Sequence, residues 1–170
     1  MEDLIINKVA QSELESIDLG QFFPEKAIVS FDLKDFLFME LILKEKDFRE
    51  KLKNTDWEAY RGQIVCIYNS ADAIIPMWAY MLAVTYLGQV AEDVLVGDPS
   101  YAFQVSYLKN LMKINPADYQ DKRVVIKGCG DKEVPAQAYA EITRILLPVA
   151  KSIMYGEPCS TVPVYKKRPQ

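Results

Sequence analysis

Three stretches of this sequence set small residues beside an aspartate just ahead of an apolar, helix-like run: Asn69-Ser70-Ala71-Asp72, Gly97-Asp98-Pro99-Ser100 and Gly128-Cys129-Gly130-Asp131. Between them they offer carboxylates, hydroxyls, a carboxamide and a thiol. Unpaired backbone N–H groups at a helix start carry partial positive charge, so such residues suit an anionic or metal-bound ligand there. The candidate ligand-binding residues are Asn69, Ser70, Asp72, Asp98, Ser100 and Asp131. The competing reading is that the aspartates only cap helices and loops, by accepting backbone N–H bonds.

Cys129 is the candidate catalytic group. It lies between two glycines at a strand end facing a helix start, a setting that lowers a thiol pKa and leaves the sulfur open. Cys66, between Val65 and Ile67, reads as a small buried hydrophobe. Cys159 follows Gly156-Glu157-Pro158 near the C-terminus. Three cysteines, without a C-x-x-C pair, suggest reduced thiols and a cytoplasmic protein rather than a disulfide-stapled secreted one. The chain has no histidine, which removes Ser-His-Asp and Cys-His pairs and histidine-ligated zinc. No nucleotide-binding glycine motif or nucleophile elbow is present, so no metal ligand set and no cofactor can be named.

The elements that would carry these loops follow from apolar patterning. Residues 27–33 (AIVSFDL), 63–68 (QIVCIY), 93–96 (DVLV) and 123–127 (RVVIK) read as strands. Helices are expected over residues 44–54, 74–87, 101–113 and 135–154, the last kinked at Pro148 and stopped by Gly156 and Pro158. Thr55-Asp56-Trp57-Glu58 resembles a capping box, and Gly88 suits a left-handed helix end. Leu4, Ile5 and Val9 suggest a short N-terminal helix. Residues 36–43 form an apolar run whose helix or strand identity periodicity leaves open. Alternating strands and helices predict a three-layer α/β sandwich around a mostly parallel sheet of four or five strands. The expected organisation is one α/β domain over residues 1–170, with residues 1–25 and 156–170 packed on it or partly flexible.

A shift of 59 residues (60 to 119) superimposes two segments of the chain. Tyr60 falls on Tyr119, Val65 on Val124, Ile67 on Ile126, Asp72 on Asp131, Pro76 on Pro135, Ala79 on Ala138 and Tyr80 on Tyr139. The common form is strand, polar loop, D-x-x-[IV]-P-x-x-A-Y, helix, which predicts a repeated βα unit. Proline suits a first helical turn, and the residue before it is pushed to an extended conformation.

Composition bounds the partners. A formal net charge of −4 argues against nonspecific nucleic-acid binding. The start Met1-Glu2-Asp3 is acidic where a secretory signal would be basic. Residues 73–91 carry no charge, but their strongly apolar part is too short to span a bilayer, so a buried core helix is expected instead of membrane insertion. Lys166-Lys167-Arg168 reads as a solvated tail, and Tyr165 as a candidate interface residue.

Three stretches carry a resemblance: FDLKDFLFMELILKEKDFRE (Phe31 to Glu50), SADAIIPMWAYML (Ser70 to Leu82) and KSIMYGEPCSTVPVYK (Lys151 to Lys166). Through them the chain resembles an uncharacterised bacterial family, domain of unknown function 2480. The resemblance implies a compact cytosolic protein with an ordered C-terminal segment, and implies no activity. The leading expectation from the residues is a small anionic ligand or metal bound at the carboxyl ends of the strands. A non-catalytic regulatory or protein-interaction module, with a homodimer left open, and a thiol enzyme or redox protein using Cys129 are the alternatives.

Overall fold

The computed structural model describes residues 14–128, 130 and 132–168. Its strands are β1 (Leu14–Asp18), β2 (Ile28–Asp32), β3 (Ile64–Tyr68), β4 (Asp93–Val96), β5 (Arg123–Lys127), β6 (Ser152–Glu157) and β7 (Ser160–Lys166). Its α-helices are α1 (Glu45–Lys53), α2 (Met77–Leu87), α3 (Pro99–Leu111) and α4 (Ala136–Leu146). The fold is mixed α/β, and it divides into two compact units: Pro24–Ser106, and Met1–Phe23 with Tyr107–Gln170.

The Pro24–Ser106 unit holds a parallel three-stranded sheet in the order β2-β3-β4. Ile64, Val65, Cys66 and Ile67 are all buried, so β3 is apolar on both faces, as a central parallel strand must be. α1 contributes Phe48 and Leu52, and α2 contributes Ala79, Ala83 and Leu87, to one core with Phe31, Val65 and Ile67. The Phe48 and Trp78 rings meet edge-on at 5.8 Å, so both helices share that core.

The second unit orders its strands β1-β5-β6-β7, the first three parallel and β7 antiparallel to β6. Ile17, Leu19, Val124, Ile142, Leu146 and Ile153 are among its buried residues. Tyr107 is also fully buried, and its hydroxyl donates to the Leu19 carbonyl at 2.6 Å. Burial, reinforced by Tyr139 and Asp18, pushes that phenol up to about 12.

The strands at 93–96 and 123–127 fall where patterning put them, but they belong to two sheets rather than one. The long C-terminal helix does not form. α4 ends at Leu146, Pro148 lies in a turn, and residues 152–157 are strand β6. Gly156 lies inside β6 at φ 121, where an added Cβ would come within 2.5 Å of the Ser160 carbonyl oxygen. That contact and that φ favour glycine at the hairpin. Residues 160–166 are β7, so most of the segment beyond Gly156 is strand. Gly88 ends α2 at φ −63, without a left-handed turn, and Asp56 rather than Thr55 caps the turn Trp57–Tyr60. Residues 38–42 form an exposed hairpin bridged between Phe38 and Ile42. The N-terminal helix suggested by Leu4, Ile5 and Val9 lies outside the described residues.

Candidate functional site

Because β2, β3 and β4 are parallel, the loops that follow them leave one edge of their sheet. The edge is held together by Asp32, the last residue of β2. Its Oδ1 accepts the backbone N–H of Lys34 at 2.9 Å and of Ser70 at 3.1 Å. Its Oδ2 accepts the Ser70 hydroxyl at 2.5 Å. Burial pushes the Asp32 carboxyl up, but the bonds from Ser70, Lys34 and the Tyr68 side chain outweigh it and hold the group below the usual aspartate value. Ser70 is therefore a clamp between two strand ends. Asp32 was not among the residues singled out from sequence, because it reads as the polar end of a strand.

The other expected residues of this edge divide by whether their polar atoms are occupied. The Asn69 carboxamide donates to the carbonyls of Ala71 at 2.9 Å and Ala73 at 3.0 Å, and accepts from the Ala71 N–H at 3.1 Å, so it shapes its own loop. Asp98 accepts the Tyr101 N–H at 2.8 Å and caps α3. Asp72 and Ser100 are exposed. Three carboxylates, Asp32, Asp72 and Asp98, thus belong to these loops, a charge that repels an anion. Among the described residues, no group of three or more Cys, Asp or Glu side chains is placed to hold a metal.

In the second unit, Asp18 ends β1 as Asp32 ends β2, and accepts the Gly20 N–H at 2.8 Å. After β5, a Cβ on Gly128 would lie 2.1 Å from the Tyr139 hydroxyl oxygen, so that tyrosine packs against bare backbone. Cys129 and Asp131 lie outside the described residues. Of the other thiols, Cys66 is buried in β3, where its sulfur donates to the Val29 carbonyl at 3.5 Å, and Cys159 is exposed in the β6–β7 turn.

Two surfaces went unforeseen in the sequence. α2, expected to be a buried core helix, is buried on one side only: Met77, Met81 and Val84 are 70%, 69% and 37% exposed, and Ile74, just ahead of the helix, is 94% exposed. The charge-free run 73–91 was the available signal, since a helix apolar all round has more apolar surface than one core contact covers. The other surface is a basic groove at the amino-terminal edge of β5 and β6, lined in part by Arg123, Lys151 and Lys166. Its residues are scattered over more than forty positions, so only strand pairing brings them together. No helix among the described residues is long and apolar enough to cross a membrane.

A family model described as a protein of unknown function, DUF2480, matches residues 3–167, and the chain belongs to that family. No curated protein and no solved structure matches the chain.

Proposed function

We propose that this family member is a non-catalytic interaction module, built from two copies of one βα unit, that self-associates through the outer face of α2. The duplication is supported by element positions. β3, α2 and β4 start at 64, 77 and 93, while β5, α4 and β6 start at 123, 136 and 152, a constant interval. The turns agree as well. Val90 and Ala91 donate to the Leu87 carbonyl at 3.0 and 2.8 Å, and Val149 and Ala150 donate to that of Leu146 at the same distances. Gly62 and Asp121 both have positive φ, 67 and 55.

The observation that carries the functional reading is the difference between the two helices. Ala79, Ala83 and Leu87 of α2 and Ala138, Ile142 and Leu146 of α4 are equally buried. On the outer face, α2 sets Met77, Met81 and Val84 where the same shift puts Ala136, Ala140 and Thr143, and the loop before each helix sets Ile74 where the shift puts Glu133. α4 also carries the ion pair Glu141–Arg144 on its surface. The fold therefore works with small and polar residues at these positions, and the large apolar side chains of the α2 stripe answer to something else.

A second copy is the occupant the stripe fits. An antiparallel pair of α2 helices about a twofold axis sets Met77 against Met81, twice over, with Ile74 and Val84 at the ends of the contact. The face has no charge to be matched by a different partner. At about 100 Å² per fully exposed apolar side chain, the stripe offers about 270 Å² per copy. That is about a third of the roughly 800 Å² per partner of a standard interface, so the dimer is weak and concentration-dependent. Sedimentation velocity between about 1 and 200 μM tests this. A monomer–dimer equilibrium abolished by Met77→Glu with Met81→Glu, and untouched by Ala140→Glu on α4, supports the reading. A monomer throughout the range refutes it.

A further inference from the structure

In register across three neighbouring strands, Arg123 of β5 pairs with Ser152 of β6, and Ser152 with Lys166 of β7. Paired residues of adjacent strands share a face, and each strand adds about 4.8 Å, so two cations flank a hydroxyl over roughly 10 Å. Lys151 joins them, and Met154, Pro163 and Tyr165 complete the wall of a groove of about 460 Å³. No carboxylate lines it. Neighbouring cations are neutralised, Lys122 by Glu15 at 2.9 Å and Lys167 by Asp121 at 3.3 Å. Among the described residues, Arg123, Lys151 and Lys166 have no such ion pair, although the Lys151 charge joins that of Lys167 in acting on Asp121, in a chain whose net charge is −4.

The fold does not require this charge. Under the same shift, Arg123, Lys151 and Ser152 fall on Ile64, Glu92 and Asp93, an apolar and acidic set. β7 has no counterpart in the three-stranded sheet, and it is β7 that brings Pro163, Tyr165 and Lys166 to the groove. A β-bulge at Ile153/Met154 turns the hairpin at this place.

We infer that this groove binds a small organic phosphate. The phosphate lies on Arg123, Ser152 and Lys166, and a flat apolar portion lies against Tyr165, Met154 and Pro163. A guanidinium holds two phosphate oxygens at once, ammonium groups add charge without demanding a direction, and the hydroxyl donates a further bond. The tyrosine ring offers a stacking surface for the organic part. The volume fits a ligand the size of a mononucleotide. This site is independent of the α2 face, so failure of self-association leaves it standing.

Isothermal titration calorimetry on the full chain tests it, with ADP and inorganic pyrophosphate as probes at about 50 and 300 mM salt. ADP is expected to bind one to one, at least tenfold tighter than pyrophosphate, and more weakly at high salt. Arg123→Gln and Lys166→Gln should each weaken both probes about tenfold. Tyr165→Leu should weaken ADP alone, and Met77→Glu neither. Circular dichroism identifies any variant that fails to fold, and Lys151→Gln, on an exposed residue before β6, then replaces it. Absence of saturable binding, or binding indifferent to the charge substitutions, overturns the site. Equal affinity for the two probes overturns the organic portion. A single-stranded oligonucleotide binding far more tightly than ADP overturns the small-molecule assignment.

Discussion

Removing the Asp32 carboxylate should unfasten the ends of β2 and β3, and the cost can be worked from its bonds. Oδ1 takes two backbone N–H groups and Oδ2 takes one hydroxyl. Hydrogen bonds to a charged group contribute about 1.5–3 kcal/mol each when shielded, and the half-buried position lowers that to about 1. Asp32→Ala should therefore cost about 2–3 kcal/mol. Asp32→Asn should cost about 1, because the amide oxygen can keep both backbone bonds while its NH₂ faces a Ser70 hydroxyl able to turn and accept. Ser70→Ala should cost about 1, and adding it to Asp32→Ala should cost little more, a coupling of about 1 kcal/mol. Acid should act the same way. The folded carboxyl titrates below its unfolded value of about 3.9, so its contribution is complete above that pH and is lost as pH falls through the folded value. Asp32→Asn should flatten that part of the acid limb. Urea unfolding followed by tryptophan fluorescence is the assay, since Trp57 and Trp78, the chain's two tryptophans, both lie in the Pro24–Ser106 unit with Asp32. Equal losses for Asp32→Asn and Asp32→Ala, or a strictly additive double mutant, would refute the clamp.

The turn of the 38–42 hairpin holds Met39 and Glu40 at φ 53 and 59, a pair of left-handed residues for which Asn-Gly is the favoured sequence. Met39→Asn with Glu40→Gly should raise stability by about 1 kcal/mol by urea unfolding, net of the exposed Lys34–Glu40 ion pair at 3.2 Å; a loss would mean the turn has another conformation. For the thiols, the expected order of iodoacetamide labelling in the folded protein is Cys159 first, Cys66 last, with Cys129 faster than Cys66. Equally slow reaction of Cys129 and Cys66, read by mass spectrometry, would remove the thiol-enzyme reading.

Strands and helices whose signal is local were legible in the sequence. β3, β4 and β5 are short, β-branched runs between polar loops, and Pro76 and Pro135 mark the starts of α2 and α4. Elements whose signal is tertiary were not. β1, with the sequence LESID, buries one side chain, Ile17, and owes its strand conformation to pairing with β5 more than a hundred residues away. The candidate site was half legible: the carboxyl-end loops were found, but their organising residue, Asp32, belongs to a different strand. The basic groove was not legible, because its cations meet through the β5–β6 and β6–β7 registers and not through spacing along the chain.

The misreading of residues 147–154 as helix had a remedy within the sequence. Apolar residues continue through Leu147, Val149, Ile153 and Met154, and a proline inside such a run reads as a kink when taken alone. The shift that aligns Pro76 with Pro135 also aligns Gly88-Gln89-Val90-Ala91 with Leu147-Pro148-Val149-Ala150, and Asp93–Val96 with residues 152–155. The first copy is plainly turn and then strand, since a glycine and a polar residue interrupt it. In the second segment the same turn is written with leucine and proline, and proline's missing N–H ends the helix, whereas Gly88 ends the first at φ −63, a conformation open to any residue. Carried past the helix, the repeat predicts β6 in place. What it cannot predict is β7, for which the three-stranded sheet has no equivalent, and β7 is the element that supplies Tyr165 and Lys166 to the groove. In the duplication proposed above, both copies share what they need in order to fold; the residues that differ between them are therefore where a function beyond folding is to be sought. In this chain those are the apolar face of α2 and the cationic row that ends on β7.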